Sequence, residues 1–200
     1  MNKIETLNRA LFLDINGSAD TPAWAWLVQA AIGIADYVIA LIPLLLVGLW
    51  LRGDHARRSV AIKACLVALL GVAANQAIGA VWPHPRPFMI GLGHAWIQHA
   101  ADSSFPSDHL TVFAGVGLTL LLDGTAGWGT ATLLTGLCVA WARVFLGVHF
   151  PLDMAGAVCV AAAAYGVVTP LWRAVGAFAT GLPESLYRYS LARAIAMRRR

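Results

Sequence analysis

Three short segments of the sequence carry side chains able to hold and attack a phosphoryl group. They are Pro83-His84-Pro85-Arg86-Pro87-Phe88, Phe105-Pro106-Ser107-Asp108-His109, and Arg143-x5-His149-x3-Asp153. Arg86 and Arg143 offer forked donors that match phosphate oxygens. Ser107 and the free amides of a helix opening at that point would add neutral donors and the positive end of a dipole. His149 precedes Pro151, a residue suited to the first helical position. Asp153 then falls in the first turn, where its carboxylate can reach back to His149. A carboxylate that takes the proton of one ring nitrogen leaves the other free as a nucleophile. His109, at the start of its helix, can protonate a leaving oxygen.

Each feature has an ordinary reading when taken alone. A His–Asp pair can cap a helix, Arg86 between prolines can anchor a lipid headgroup, and Ser107 or Asp108 can be an N-cap. Their joint occurrence weighs against those readings. The better rival is a metal site, because five of the six histidines (His84, His94, His99, His109 and His149) are expected on one membrane face. No pair among them has the i, i+4 or H-E-x-x-H spacing of a helix-borne zinc site, so no metal or cofactor is expected.

The elements that position these residues are read from composition. The chain has 200 residues, 59% hydrophobic and 12% charged, with mean hydropathy +0.70. Soluble domains carry about 25% charged residues, so lipid, not a larger core, accounts for the excess. A spanning helix needs about 20 apolar residues. Five stretches qualify or nearly do: Trp24–Leu51, Ser59–Trp82, Ser107–Leu122, Trp128–Leu146 and Pro151–Trp172. The expected fold is all-α, a single polytopic membrane domain over residues 1–200. It comprises an interfacial helix within 1–20, a transmembrane bundle over 24–172 and a basic tail over 173–200 on anionic lipid. Ile4, Leu7, Leu11 and Ile15 mark the apolar stripe of the interfacial helix. A helix packed on the bundle is the equal alternative. The cysteines Cys65, Cys138 and Cys159 lie inside apolar runs and read as buried hydrophobes. No cleavable signal peptide is visible in the charged start.

Ten of the fourteen basic residues cluster at Arg52, Arg57, Arg58 and Lys63 and in the C-terminal tail. They set those ends as cytoplasmic. Net charge +4 therefore reads as membrane orientation, and nucleic acid is not expected as a partner. The candidate residues then face outward, as do the N-terminus and the long connection Pro83–Pro106. Arg86 and Arg143 stand on the side that orientation would leave without cations, so chemistry explains them better than topology.

Over residues 79 to 153 the chain resembles the type 2 phosphatidic-acid phosphatase superfamily. That family's signature is K-x6-R-P, P-S-G-H and S-R-x5-H-x3-D. Arg86-Pro87 matches the end of the first part, Pro106-Ser107-Asp108-His109 the second, and Arg143-x5-His149-x3-Asp153 the third. The resemblance implies that His149 forms a phosphohistidine, Asp153 orients it, His109 protonates the leaving group, and Arg86, Ser107 and Arg143 hold phosphate without a metal. Three departures stand out. Gly79 occupies the lysine position, Asp108 the glycine and Ala142 the serine. Asn75, Gln76 or His84 could supply the missing donor. P-S-D-H together with H-P-R-P-F is similar to bacterial undecaprenyl-diphosphate phosphatases of the bacitracin-resistance type. That implies hydrolysis of a C55 isoprenyl diphosphate at the outer face of the bacterial cytoplasmic membrane. Alternatives are a glycerolipid phosphate phosphatase, a lipid phosphotransferase and a non-enzymatic membrane protein.

Overall fold

The computed structural model describes residues 3–17 and 25–198, with side chains as far as Tyr189. Trp24, residues 18–20 of the expected interfacial segment and the basic side chains from Arg193 onward lie outside the described residues. Seven helices follow in order: α1 (Lys3–Gly17), α2 (Ala25–Tyr37), α3 (Leu41–Arg52), α4 (His55–Val81), α5 (Asp108–Leu122), α6 (Ala126–Phe145) and α7 (Pro151–Arg198). A 3-10 turn, Val38–Ala40, joins α2 to α3, so the first expected span is one rod with a local change of winding. No strand is present among the described residues.

Three rods are long and apolar enough to cross a bilayer: Ala25–Arg52, His55–Val81 and Pro151–Tyr189. Their large exposed side chains are apolar, with Leu44 67%, Leu69 61% and Val167 63% exposed. Lipid, not water, suits such a surface. Helix α5, at 15 residues, is too short to qualify. Its burial explains why it need not. Leu110, Phe113, Val116, Gly117 and Leu120 are all buried among its neighbours, so protein surrounds it. Close approach of α5 and α6 depends on small residues. A Cβ at Gly136 would come within 2.7 Å of Phe113, and one at Gly117 within 2.7 Å of Leu133. Small residues at helix contacts are the usual basis of packing in lipid.

One expectation is extended and one corrected here. Helix α7 does not stop with the expected fifth span at Trp172 but continues unbroken to Arg198, through Pro170 and Pro183. Its length, about 70 Å at 1.5 Å per residue, exceeds any bilayer. Buried Glu184 ties the extension back to the start of α4, accepting from Arg58 at 3.3 Å and lying 3.0 Å from His55 Nδ1. Lys63 is not a surface orientation signal. It is 3% exposed and pairs with Asp123 Oδ2 at 2.8 Å, its ammonium 4.4 Å from the Tyr165 ring centroid.

Helix α1 is docked on the bundle by two asparagines and an apolar contact of Phe12 with Val144 and Phe150. Its buried residues are Asn8, Phe12 and Asn16, while Ile4 and Leu7 are about 60% exposed. The Asn16 amide donates to the carbonyls of His94 and Phe145 and accepts from His94 N–H. Asn8 accepts from the backbone of Leu152 at the start of α7. Of the expected stripe, Ile4, Leu7 and Leu11 are exposed, whereas Ile15 packs beside Phe12 against the bundle.

Candidate active site

Four backbone segments converge at one end of the bundle: the loop after α4, the N-terminus of α5, the C-terminus of α6 and the connection into α7. They enclose a cavity of about 450 Å³ lined by Gln76, Gly79, Arg86, His99, Asp102, Asp108, His109, Arg143 and His149, among others. The turn that presents His149 depends on Gly147. Its φ is +83°, and a Cβ there would meet the His94 carbonyl at 2.0 Å. Pro151 opens α7, and Asp153 lies in its first turn, as the spacing predicts.

His149 and Asp153 are 2% and 1% exposed. Asp153 Oδ2 lies 3.2 Å from His149 Nδ1, and it also accepts from the Phe150 N–H at 2.7 Å and from the Ser104 hydroxyl. On the other side of the ring, Arg86 Nη1 lies 3.1 Å from His149 Nε2. A guanidinium only donates. Nε2 therefore carries the lone pair, and the ring proton sits on Nδ1 against Asp153. Burial, opposed by Asp153 and reinforced by Arg143 and Arg86, lowers the His149 pKa to about 4. The ring is thus a neutral imidazole at neutral pH, with its free nitrogen turned toward Arg86.

Arg86 is fixed by three further acceptors: Asp102 at 2.8 Å, the Val148 carbonyl at 2.9 Å and the Ser103 carbonyl at 3.3 Å. Arg143 reaches the Ala35 carbonyl at 3.4 Å, His109 Nε2 at 3.3 Å and His99 Nε2 at 2.9 Å, and its buried Nε has no partner. Ser107 is fully buried with an unpartnered hydroxyl, and its N–H donates to the Asp153 carbonyl at 3.2 Å. Seven of the eight candidate residues are thereby brought together.

His84 is the exception. It does not line the cavity. Its ring packs edge-on to Trp82 and Phe150, with centroids 6.2 and 6.0 Å away, and its Nδ1 is buried without a partner. Asn75 and Gln76 do not stand free to receive phosphate either. Asn75 donates to Asp108 Oδ1 and to Thr111, and Gln76 donates to Asp108 Oδ2, with both carboxylate bonds at 2.8 Å. Asp108, in place of the family glycine, is thus clamped from across the bundle by two neighbouring amides of α4. At position 79 a Cβ would meet Ser103 at 3.1 Å, so the loop closes over the place a longer side chain would take.

Sequence reasoning missed three residues of this site: His99, Asp102 and Ser104. All lie on the long connection, where no periodicity marks a side chain as inward. The available signal was the polar run Asp102-Ser103-Ser104 in a chain only 12% charged, directly before the second motif. Burial would raise the Asp102 pKa, but the hydrogen bond and charge of Arg86 outweigh it and hold the carboxyl below its ordinary value. Among the described residues no group of three or more His, Cys, Asp or Glu is arranged to hold a metal ion.

The arrangement can bind a phosphoryl group between two arginines, attack it with a neutral imidazole, and offer a second imidazole to the departing oxygen. The PAP2 superfamily pattern matches residues 60–176. A relative from Escherichia coli (strain K12), YbjG, whose name provisionally assigns it as an undecaprenyl-diphosphatase, is 36% identical over 94% of both chains. The undecaprenyl-diphosphatase BcrC of Bacillus subtilis (strain 168) is 34% identical over 64% of this chain and 66% of its own. Among solved structures, Aquifex aeolicus LpxE superposes with a TM-score of 0.64 at 23% identity, over 81% of this chain and 94% of that one.

Proposed function

Because the chain belongs to the PAP2 superfamily and is a membrane phosphatase, we propose that it hydrolyses undecaprenyl diphosphate to the monophosphate and inorganic phosphate. It does so at the outer face of the bacterial cytoplasmic membrane, returning a lipid carrier to use in cell-wall synthesis. The observation that carries the reaction is the His149 ring, held between Asp153 at Nδ1 and Arg86 at Nε2. The names of the relatives support the choice of substrate.

In this reading Nε2 attacks the terminal phosphorus. The bond from phosphorus to the bridging oxygen breaks, and the lipid monophosphate leaves with that oxygen. Asp153 balances the positive charge that develops on the imidazole. Arg86 and Arg143 turn to the phosphoryl oxygens, with the unpartnered Ser107 hydroxyl and Arg143 Nε as further donors. Water then cleaves the phosphohistidine, giving inorganic phosphate and the free ring. Purified protein in detergent should release phosphate from the C55 diphosphate well above the rate on C55 monophosphate or phosphatidate. Equal or faster release from phosphatidate would favour a glycerolipid phosphatase instead.

His109 sharpens that comparison. A departing phosphate monoester is a stable anion near neutral pH and needs little help from an acid. A departing alkoxide, as from phosphatidate, needs a proton. General acids contribute about 10²–10⁴-fold, and that full cost should appear only where the leaving group requires it. His109→Gln is expected to slow residual phosphatidate hydrolysis by ~100-fold and diphosphate hydrolysis much less. Equal losses on both substrates would place His109 in phosphate binding and not in protonation.

A further inference from the structure

None of the roles above uses His99, although it lines the cavity. Its side chain is 21% exposed, open enough to meet a ligand and buried enough to be held. The ring is oriented by two contacts. Nδ1 donates to the Ala100 carbonyl at 3.2 Å, so Nε2 is the acceptor for Arg143 Nη2 at 2.9 Å. Asp102 Oδ1 stands 3.8 Å from Nδ1 and also holds Arg86. The imidazole therefore sits between the two arginines of the site, and its free face is turned to the phosphate cavity.

The charges of a diphosphate make this position consequential. Among the described residues Arg86 and Arg143 are the only Lys or Arg lining the cavity, and a diphosphate brings more negative charge than they neutralise. An anion that takes the Arg143 Nη2 hydrogen removes the bond His99 now accepts. The vacated Nε2 then faces a phosphate oxygen, where only a protonated ring is favourable. The geometry points to His99 as the third cationic phosphate donor of this site, a neutral acceptor in the free protein that takes a proton from solvent when the diphosphate binds.

The groups facing His99 divide in sign in the free protein, and the lowering ones prevail. Burial, Arg86 and Arg143 lower its pKa in the free protein, against the raising effect of the Ala100 carbonyl and Asp102. His109, and His149 with its ring centroid 6.4 Å away, add no negative charge. A diphosphate adds several negative charges beside the ring and reverses the balance of the arginines. Between the free and bound pKa values, binding therefore takes up a proton and weakens as pH rises.

This inference rests on the reading of the cavity as a diphosphate site. It is tested by titration calorimetry of the detergent-solubilised full chain with methylenediphosphonate, which has the diphosphate charge but a bridge that is not hydrolysed. Running each titration in two buffers of different ionisation enthalpy counts the protons taken up. Wild-type protein should bind with net uptake, and His99→Gln should bind about tenfold more weakly, the scale of one charge-assisted hydrogen bond, with that uptake lost. His99→Lys should restore tight binding without uptake, because an ammonium is already charged. In turnover, His99→Gln should raise KM with kcat less affected, and the wild-type rise in KM from pH 6 to 8 should flatten. Unchanged affinity and proton uptake in His99→Gln, with wild-type binding intact, would overturn this inference alone. No binding by wild-type protein, with turnover of monoesters only, would overturn the diphosphate reading and this inference together.

Discussion

His149→Ala is expected to lose at least ~10⁴-fold in turnover of a diphosphate substrate, because a nucleophile and its partners act as one unit. The surrounding geometry explains why the loss should be chemical and not a failure to fold. Without the ring, Asp153 keeps the Phe150 N–H and the Ser104 hydroxyl, and Arg86 keeps Asp102, Val148 and Ser103. Substrate binding should therefore survive, and methylenediphosphonate affinity should change little. Phosphate release close to the wild-type rate would end the assignment of His149. Loss of both release and binding, with an unchanged elution profile, would instead make His149 a binding residue.

Asp153→Asn is expected to cost about 10³–10⁴-fold in kcat, the scale seen when an orienting carboxylate is replaced by an amide. KM should hold, because Asp153 lies behind His149 and does not line the cavity. The cause would be the tautomer. An amide can present a hydrogen to Nδ1, which moves the ring proton to Nε2, the nitrogen that must attack and that already faces Arg86 Nη1 at 3.1 Å. The sign of the pH effect distinguishes this from a change in protonation. The His149 pKa is lowered to about 4 chiefly by burial, and Asp153 is the group that opposes the fall. Removing it lowers the pKa further. The ring is then still neutral at pH 6, and raising the pH to 9 should recover nothing. Recovery of wild-type turnover at high pH would mean that Asp153 serves as a base.

The three long apolar rods were legible because span length is set by bilayer thickness, and the His149–Asp153 pair because Pro151 fixes where α7 begins. Asp153 then lies one turn from His149 by helix geometry alone. What the sequence hid is long-range. His99 and Asp102 reach Arg143 and Arg86 across the fold from a loop without periodicity, and nothing in their spacing points to those arginines. Asn75 and Gln76 were named as candidates for the missing donor, but their amides are claimed by Asp108, 33 and 32 residues on. Lys63 was counted with its basic neighbours Arg57 and Arg58, yet its position on α4 points it to Asp123 at the end of α5. Asn8 and Asn16 were overlooked for a related reason. On α1 they turn to the bundle on either side of Phe12, while Ile4, Leu7 and Leu11 stay exposed, so apolar periodicity does not mark them as inward.

Whether the phosphoryl group passes through the protein is read most directly by rapid quench. Wild-type chain would be mixed with C55 diphosphate labelled at the terminal phosphate and stopped within the first turnover. Proteolysis of the quenched protein would then locate the label. Label on the peptide carrying His149, stable to base and lost in acid, is the predicted result. Full release of labelled phosphate with no labelled protein, or label on any other residue, would contradict it.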